Sequence, residues 1–321
     1  MAQRVQAGGA VKAGSRRPRA DSPEPNSSPA TAALCLAGLA LAVLLAFWNS
    51  FKGAFVFDDA GAIVAAENIR HLADWRTWMS SERPVIALSL AINYAISGLN
   101  PVSYHVFNVG SHILATWTLF GIVRRTLRLP RFGDRVRAKA SGIALAVALL
   151  WAVHPLQTQA LTFVIQRGES MMSLFGLLMF YCVIRGATGG HSIVWYLLSI
   201  VAFMLSAGCK VGLPSMPLVL FFYDYLFLTQ SVVTTLRRRG LLYLGQLLSF
   251  GLILKLTQLS LSLFSSDPGF PVTVGFGLRD HNWWQHAISQ PAVVLHYLQL
   301  TLWPASLCID YEWPIPTKAA E

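Results

Sequence analysis

Asp58 and Asp59 stand side by side in Phe55-Val56-Phe57-Asp58-Asp59-Ala60, directly after the first long apolar run of the chain. In a sequence that is 12% charged and 54% hydrophobic, an acidic pair there puts titratable oxygen where lipid and water substrates meet. A carboxylate in that place can take the proton of an attacking hydroxyl, or it can only end a helix and face water. Ionisable groups in or beside an apolar span are costly, about 2.5–3.5 kcal/mol at a bilayer centre, and so are candidates for function. Further chemistry-bearing residues follow at intervals. Arg83 precedes an apolar stretch, His154-Pro155, Gln159, Arg167 and Glu169 fall between two later spans, and Lys210 follows Gly208 and Cys209. Arg167 and Glu169 are spaced to pair with each other at a span's lip. Cations and carboxylates from separate loops suit transfer from a lipid phosphate: a cation holds the leaving phosphate while a carboxylate takes the acceptor's proton. A solvated rim would present the same residue types.

The elements that must position these residues are membrane helices. A mean hydropathy of +0.51, with 10 Trp and 18 Phe in 321 residues, does not describe a soluble domain. Apolar runs near the roughly 17–25 residues that cross a bilayer predict seven spans: Ala30–Trp48, Tyr104–Val123, Ala140–Val153, Ser170–Ile184, Ile193–Ala207, Leu213–Leu228 and Leu241–Leu263. The third to fifth are short and must extend into polar flanks. Of the 25 Lys and Arg, 16 fall before the first span or in alternate loops, with seven between Arg124 and Lys139 and three at Arg237–Arg239. The excess of basic residues marks that side as cytoplasmic, and the charge of +10 is mostly topology. Nucleic acid is not an expected partner, because the basic loops lack interleaved aromatics. The same rule keeps Pro84–Leu99 out of the membrane, since counting it as a span would carry the seven-charge loop to the wrong side. It and His71–Ser81, with Trp75 and Trp78, are expected as interfacial helices. Gln290–Trp303, about 21 Å long as a helix, is treated likewise. Asp224 falls at the inner end of the sixth span, far from the outer face, and is expected to be structural, and Lys255 lies within the seventh.

Residues 1–29 are expected as a disordered basic cytoplasmic tail, 30–314 as one transmembrane module with a large outer loop at 49–103, and 315–321 as a short tail. That outer loop carries five of the fifteen acidic residues. The first span is expected as a retained anchor. Cys35, Cys182, Cys209 and Cys308 show no metal spacing, and no disulfide is expected. No metal site is assigned, although a divalent cation at Asp58 and Asp59 stays open. No nucleotide loop, GxSxG or HExxH occurs. A transporter is disfavoured, because the polar residues collect at one face rather than at the midplane.

Five segments in order carry a resemblance: FVFDD; RPVIALSLAINYAISGLNPVSYHVFNVGSHI; HPLQTQALTFVIQRGES; a Lys before LPSMPLVLFFYDYLF; and VLHYLQLTLWPASLCIDYEWP. From about Phe47 to Pro314 the chain resembles the transmembrane O-mannosyltransferases that act on cadherins and their bacterial relatives with tetratricopeptide repeats, within the GT-C superfamily. The resemblance implies an all-α polytopic bundle with in-plane helices in the first and last outer loops. It implies an acceptor-activating base at Asp58 or Asp59, and donor recognition around Arg83, His154, Arg167, Glu169 and Lys210. The implied donor is a sugar, mannose above all, on a polyprenyl or dolichyl phosphate. The acceptor is a protein hydroxyl or a glycan, and the membrane is the bacterial inner membrane or the endoplasmic reticulum. Two positions depart from the family's pattern, Val211 and Gln159, where relatives carry Glu. The chain ends at Glu321, soon after the last in-plane helix, so the expectation is either a partner subunit that supplies acceptor recognition or a truncated product. A relative that binds donor without turning it over is the alternative.

Overall fold

The computed structural model describes residues 29–210, 215–256, 283–305, 307–309 and 311. Among these the secondary structure is helical, with no strand. The helices are α1 Pro29–Ala46, α2 Trp75–Met79, α3 Pro84–Ser97, α4 Pro101–Leu127, α5 Asp134–Ala152, α6 Gln157–Thr162, α7 Arg167–Thr188, α8 Ser192–Cys209, α9 Met216–Tyr223, α10 Val232–Leu256 and α11 Trp283–Leu302. By length and composition α1, α4, the 25 residues ending in α7, and α8 can each cross a membrane. Large apolar side chains remain exposed along them, among them Leu34, Leu41 and Leu45 on α1 and Ile193 and Leu197 on α8. A bilayer is the medium that covers such a surface. The chain is an all-α polytopic membrane protein.

Local sequence explains where the helices begin and end. Asn100 caps α4 by accepting the Val102 N–H at 3.1 Å, with Pro101 in the first turn. Arg124 and Arg125 lie in its last turn, where cations suit the helix dipole. Pro84 opens α3, and Gly98 closes it at φ +59°, a conformation that glycine adopts without strain. The short spans do extend into their polar flanks: α5 starts at Asp134, α7 at Arg167 and α8 at Ser192. The seventh span differs more. Its helix starts at Val232, so Arg237 and Arg238 are helical rather than loop residues, and the chain kinks at Arg239. That kink turns the Arg239 guanidinium onto both oxygens of buried Asp224, which also accepts from the Tyr243 hydroxyl at 2.9 Å. Asp224 is thus a structural latch between α10 and the π-turn that follows α9.

The expected in-plane helices change in extent. His71–Ser81 contains only the five-residue α2, capped by Asp74. Helix α3 packs across the ends of three spans. Ile86, Leu90 and Ala91 join Tyr104 from the start of α4, Met171 from the start of α7 and Cys209 from the end of α8 in one buried cluster. It therefore buries most of one face in protein, not only in the interface. The helix expected at Gln290–Trp303 begins seven residues earlier, at Trp283, with Pro291 inside it. At 20 residues it reaches about 30 Å, so shortness no longer separates it from a span. Sequence expectations that fall on residues 1–28, Val211, 257–282, Asp310 and 312–321 lie outside the described residues.

Candidate functional site

Asp58 and Asp59 are consecutive yet serve different surroundings. Phe57 ahead of them has φ +47°, a left-handed backbone that a bulky residue adopts at a cost of about 1–3 kcal/mol. The chain then makes a single π-helical turn, Ala60–Val64. Asp59 lies inside and is fully buried. Its Oδ1 accepts the Ile165 N–H at 2.8 Å and its Oδ2 the Val56 N–H at 3.1 Å, so it ties the outer loop to the junction of α6 and α7. Burial raises its pKa above the ordinary 3.8, against the opposing pull of the Val56, Ile165 and Val164 N–H groups. Asp58 is exposed. It lines a cleft of about 500 Å³ together with Asn68, Ser81, Glu82 and Arg83. Of the two candidate bases, only Asp58 faces open space beside a cation.

The pair does not present two open carboxylates to a shared cation, because each oxygen of Asp59 already accepts a backbone N–H. Among the described residues no group of three or more His, Cys, Asp or Glu is placed to hold a metal ion.

The remaining sequence candidates separate. Lys210 pairs with Glu169, and both side chains stay about one third exposed, at 39% and 35%. The expected pairing of Arg167 with Glu169 does not form. Successive positions near a helix start point to different faces, and Glu169 turns to α8 while Arg167 turns inward. The Lys210 and Glu169 pair is set beside the start of α3 by a close approach. A Cβ on Gly208 would come within 2.6 Å of Val85 Cγ2 and 3.8 Å of Pro84, so glycine lets the end of α8 reach the helix that Arg83 precedes. Neither Lys210 nor Glu169 lines the cleft holding Asp58 and Arg83.

Arg167 is fully buried, not at a lip. Its guanidinium donates to Asn93 Oδ1 at 2.7 Å, Ser89 Oγ at 3.3 Å and the Tyr104 carbonyl at 3.4 Å. It also lies 4.7 Å from the Phe107 ring centroid. Those contacts bind α3 and α4 to the start of α7, and Arg167 is not among the residues lining the cleft. His154 is likewise engaged. Nδ1 accepts the Leu156 N–H at 3.3 Å, which assigns the proton to Nε2, 3.1 Å from the Thr301 carbonyl in α11. Gln159 donates to the Ile309 carbonyl at 3.4 Å. Both residues therefore hold the last described helix and its sequel to the outer loops. Cys209 is buried and Cys308 exposed.

Sequence reasoning missed one polar stripe. His105, Asn108 and His112 follow helical spacing on α4 and are buried. His105 Nε2 lies 3.2 Å from the Gly53 carbonyl and His112 Nε2 2.9 Å from the Ala152 carbonyl. Asn108 donates to the carbonyls of Leu161 and Val164 at 3.4 and 3.3 Å. Carbonyls left unpaired in a buried site are costly, and this stripe engages four of them. The readable signal was three polar residues at i, i+3 and i+7 inside an apolar run.

Protein O-mannosyl-transferase TMTC4 of Mus musculus is 34% identical over 193 residues, 52% of this chain and 26% of that protein. TMTC4 of Homo sapiens is 31% identical over 251 residues, 68% of this chain and 33% of that protein. The chain is a relative of the protein O-mannosyl-transferases. TMTC3 of Homo sapiens agrees, at 31% over 185 residues, 52% of this chain and 19% of that protein. The chain thus spans between a fifth and a third of the length of these O-mannosyl-transferases. No family model and no solved structure matches it.

Proposed function

We propose that this protein transfers mannose from a polyprenyl or dolichyl phosphate to a protein Ser or Thr hydroxyl on the face away from the basic loops. Asp58 and Arg83 lining one cleft, while Asp59 is consumed by backbone N–H groups, is the observation that carries the proposal. Asp58 accepts the proton of the acceptor hydroxyl. The hydroxyl oxygen bonds to the anomeric carbon with inversion as the bond from that carbon to the phosphate oxygen breaks. The electron pair leaves with the phosphate. Arg83 neutralises the growing charge there. The relatives' printed names support a transferase acting on protein, and a cleft lined by Asp58, Arg83 and Ile165, next to a helix long enough to span, suits a lipid-linked donor. The basic ends of the spans face the cytoplasm, as does the N-terminus, and the endoplasmic reticulum membrane suits relatives drawn from animals.

The test is release of labelled sugar from polyprenyl-phosphate-mannose by the full chain in lipid, with a membrane extract supplying acceptors and a partner subunit. Wild type is expected to transfer, and Asp58→Asn to lose about 10²–10⁴-fold while still binding donor. Equal activity in wild type and Asp58→Asn removes Asp58 as base. Donor binding with no transfer by wild type makes the chain a binding relative and overturns the enzyme proposal.

A further inference from the structure

Resting on the proposed reading of the cleft beside Asp58 and Arg83 as the donor site, we infer that Glu82 holds hydroxyls of the transferred sugar and restricts the donor to neutral hexoses. The cleft, about 500 Å³, has the size of a small-molecule site. Asp58 lines it from the outer loop, and Ser81, Glu82 and Arg83 line it from the turn that leads into α3. Ser81 Oγ accepts the Arg83 N–H at 3.2 Å, which fixes that turn with Glu82 and Arg83 side by side. The two do not pair with each other, and among the described residues Glu82 takes part in no ion pair. Gly61 also lines the cleft. A Cβ there would meet no atom within 4 Å, so there is open room near Asp58.

The roles of Asp58 and Arg83 place the sugar. In a displacement with inversion the nucleophile and the leaving phosphate lie on opposite faces of the ring, so the sugar sits between the base and the guanidinium. The sugar is bonded directly to the phosphate, and Glu82 is the immediate neighbour of the arginine that faces that phosphate. A carboxylate accepts through two oxygens and matches a vicinal pair of hydroxyls. Ile86, Leu90 and Ile165 make the apolar part of the lining, which suits the C–H face of a pyranose. Charge sets what is excluded. Two carboxylates, Asp58 and Glu82, stand against one guanidinium in the lining, and the donor phosphate engages that guanidinium. A hexuronate would bring a further carboxylate beside Asp58 and Glu82 with no cation left to meet it. Such a like-charge encounter is how a site rejects a wrong ligand.

The experiment reads binding rather than transfer. The full chain in lipid nanodiscs is titrated with polyprenyl phosphate, polyprenyl-phosphate-mannose, its monodeoxy analogues and polyprenyl-phosphate-glucuronic acid, and each affinity is taken relative to polyprenyl phosphate. A hydrogen bond to a charged group is worth about 10- to 150-fold. Wild type is expected to bind at least one monodeoxy analogue more weakly than the mannosyl donor by that factor. Glu82→Ala is expected to weaken the mannosyl donor by the same factor and to bind it and that analogue alike. Polyprenyl phosphate itself is expected to bind Glu82→Ala at least as tightly as wild type, which also reports an intact fold. Glu82→Gln is expected to gain affinity for the glucuronic acid donor, a gain that misfolding does not produce. Wild type that binds neither polyprenyl phosphate nor the mannosyl donor removes the cleft as donor site, and the role of Glu82 with it. Where wild type binds the donor, three results overturn the role of Glu82 alone: no analogue discriminated by wild type, discrimination kept in Glu82→Ala, or no gain in Glu82→Gln.

Discussion

At the scale of single residues, two neighbouring aspartates differ because one turn separates their surroundings. Asp59 accepts two N–H groups in a buried site. Replacing it by Ala strands both donors, and each buried unsatisfied group costs about 1–3 kcal/mol, so Asp59→Ala is expected to lower the thermal midpoint in detergent markedly. The raised pKa gives that measurement a sign. A carboxyl whose folded pKa lies above its unfolded one favours the folded state while protonated. Its contribution is full below the unfolded value of 3.8 and is lost as pH rises through the folded value. Measured against Asp59→Asn, wild-type stability should therefore fall as pH rises through that window and run parallel above it. An increase across the window would show that the backbone N–H groups outweigh burial. Asp58 carries the opposite expectation: Asp58→Asn should leave stability within about 0.5 kcal/mol and remove transfer.

At the scale of elements, the outer loop is held by its buried apolar side chains, Ile63, Ile69, Ile86, Leu90 and Ala91, and by the buried Arg167. Arg167 ties α3 to α4 and α7 through three acceptors. Arg167→Met keeps volume but leaves those acceptors unpaired, and a loss of about 3 kcal/mol is expected. Faster proteolytic cutting within 49–103 is the direct readout, and an unchanged cutting rate would remove Arg167 as the tie. The latch at Asp224 invites the same treatment at the basic end. Asp224→Asn leaves the Arg239 guanidinium buried beside a neutral amide, and breaking a buried pair from one side costs about 3–5 kcal/mol. That variant should lower the thermal midpoint while leaving donor binding at the far end unchanged. The sequence marked Asp224 as structural from its distance to the reactive face, but its partner required the kink at Arg239, which no propensity in Arg237-Arg238-Arg239 announces.

At the scale of the whole molecule, the two ends of the bundle differ in kind. One end gathers arginines, and the other gathers carboxylates, histidines and the in-plane α3. In a Cys308→Ser background, Asn68→Cys and Arg131→Cys, both at exposed positions, should label with a membrane-impermeant maleimide from opposite sides of sealed microsomes. Asn68→Cys should be the protected one. Labelling of both from one side would remove the alternating topology. That two-ended layout was legible from basic-residue counting and span length, because both act over many residues and survive errors at single positions. Element ends were less legible. The start of α10 and the start of α11 were misplaced, since charged and aromatic residues in a helix's first turns look the same in sequence as a flanking loop.

The sequence by itself determined that this is a helical membrane protein and which side holds its basic residues. It also determined that Asp58, Asp59, Arg83 and Lys210 collect on the other face, since hydropathy, charge count and order are additive along the chain. Only the tertiary structure decided which aspartate is open, that Arg167 is a buried tie, that Glu169 takes Lys210 instead of Arg167, and that α4 carries a stitching stripe. Each of those outcomes depends on residues between 40 and 106 positions apart meeting in a low-dielectric interior. There an unpaired polar group is too costly to leave, and the partner is chosen by packing geometry rather than by neighbours in sequence.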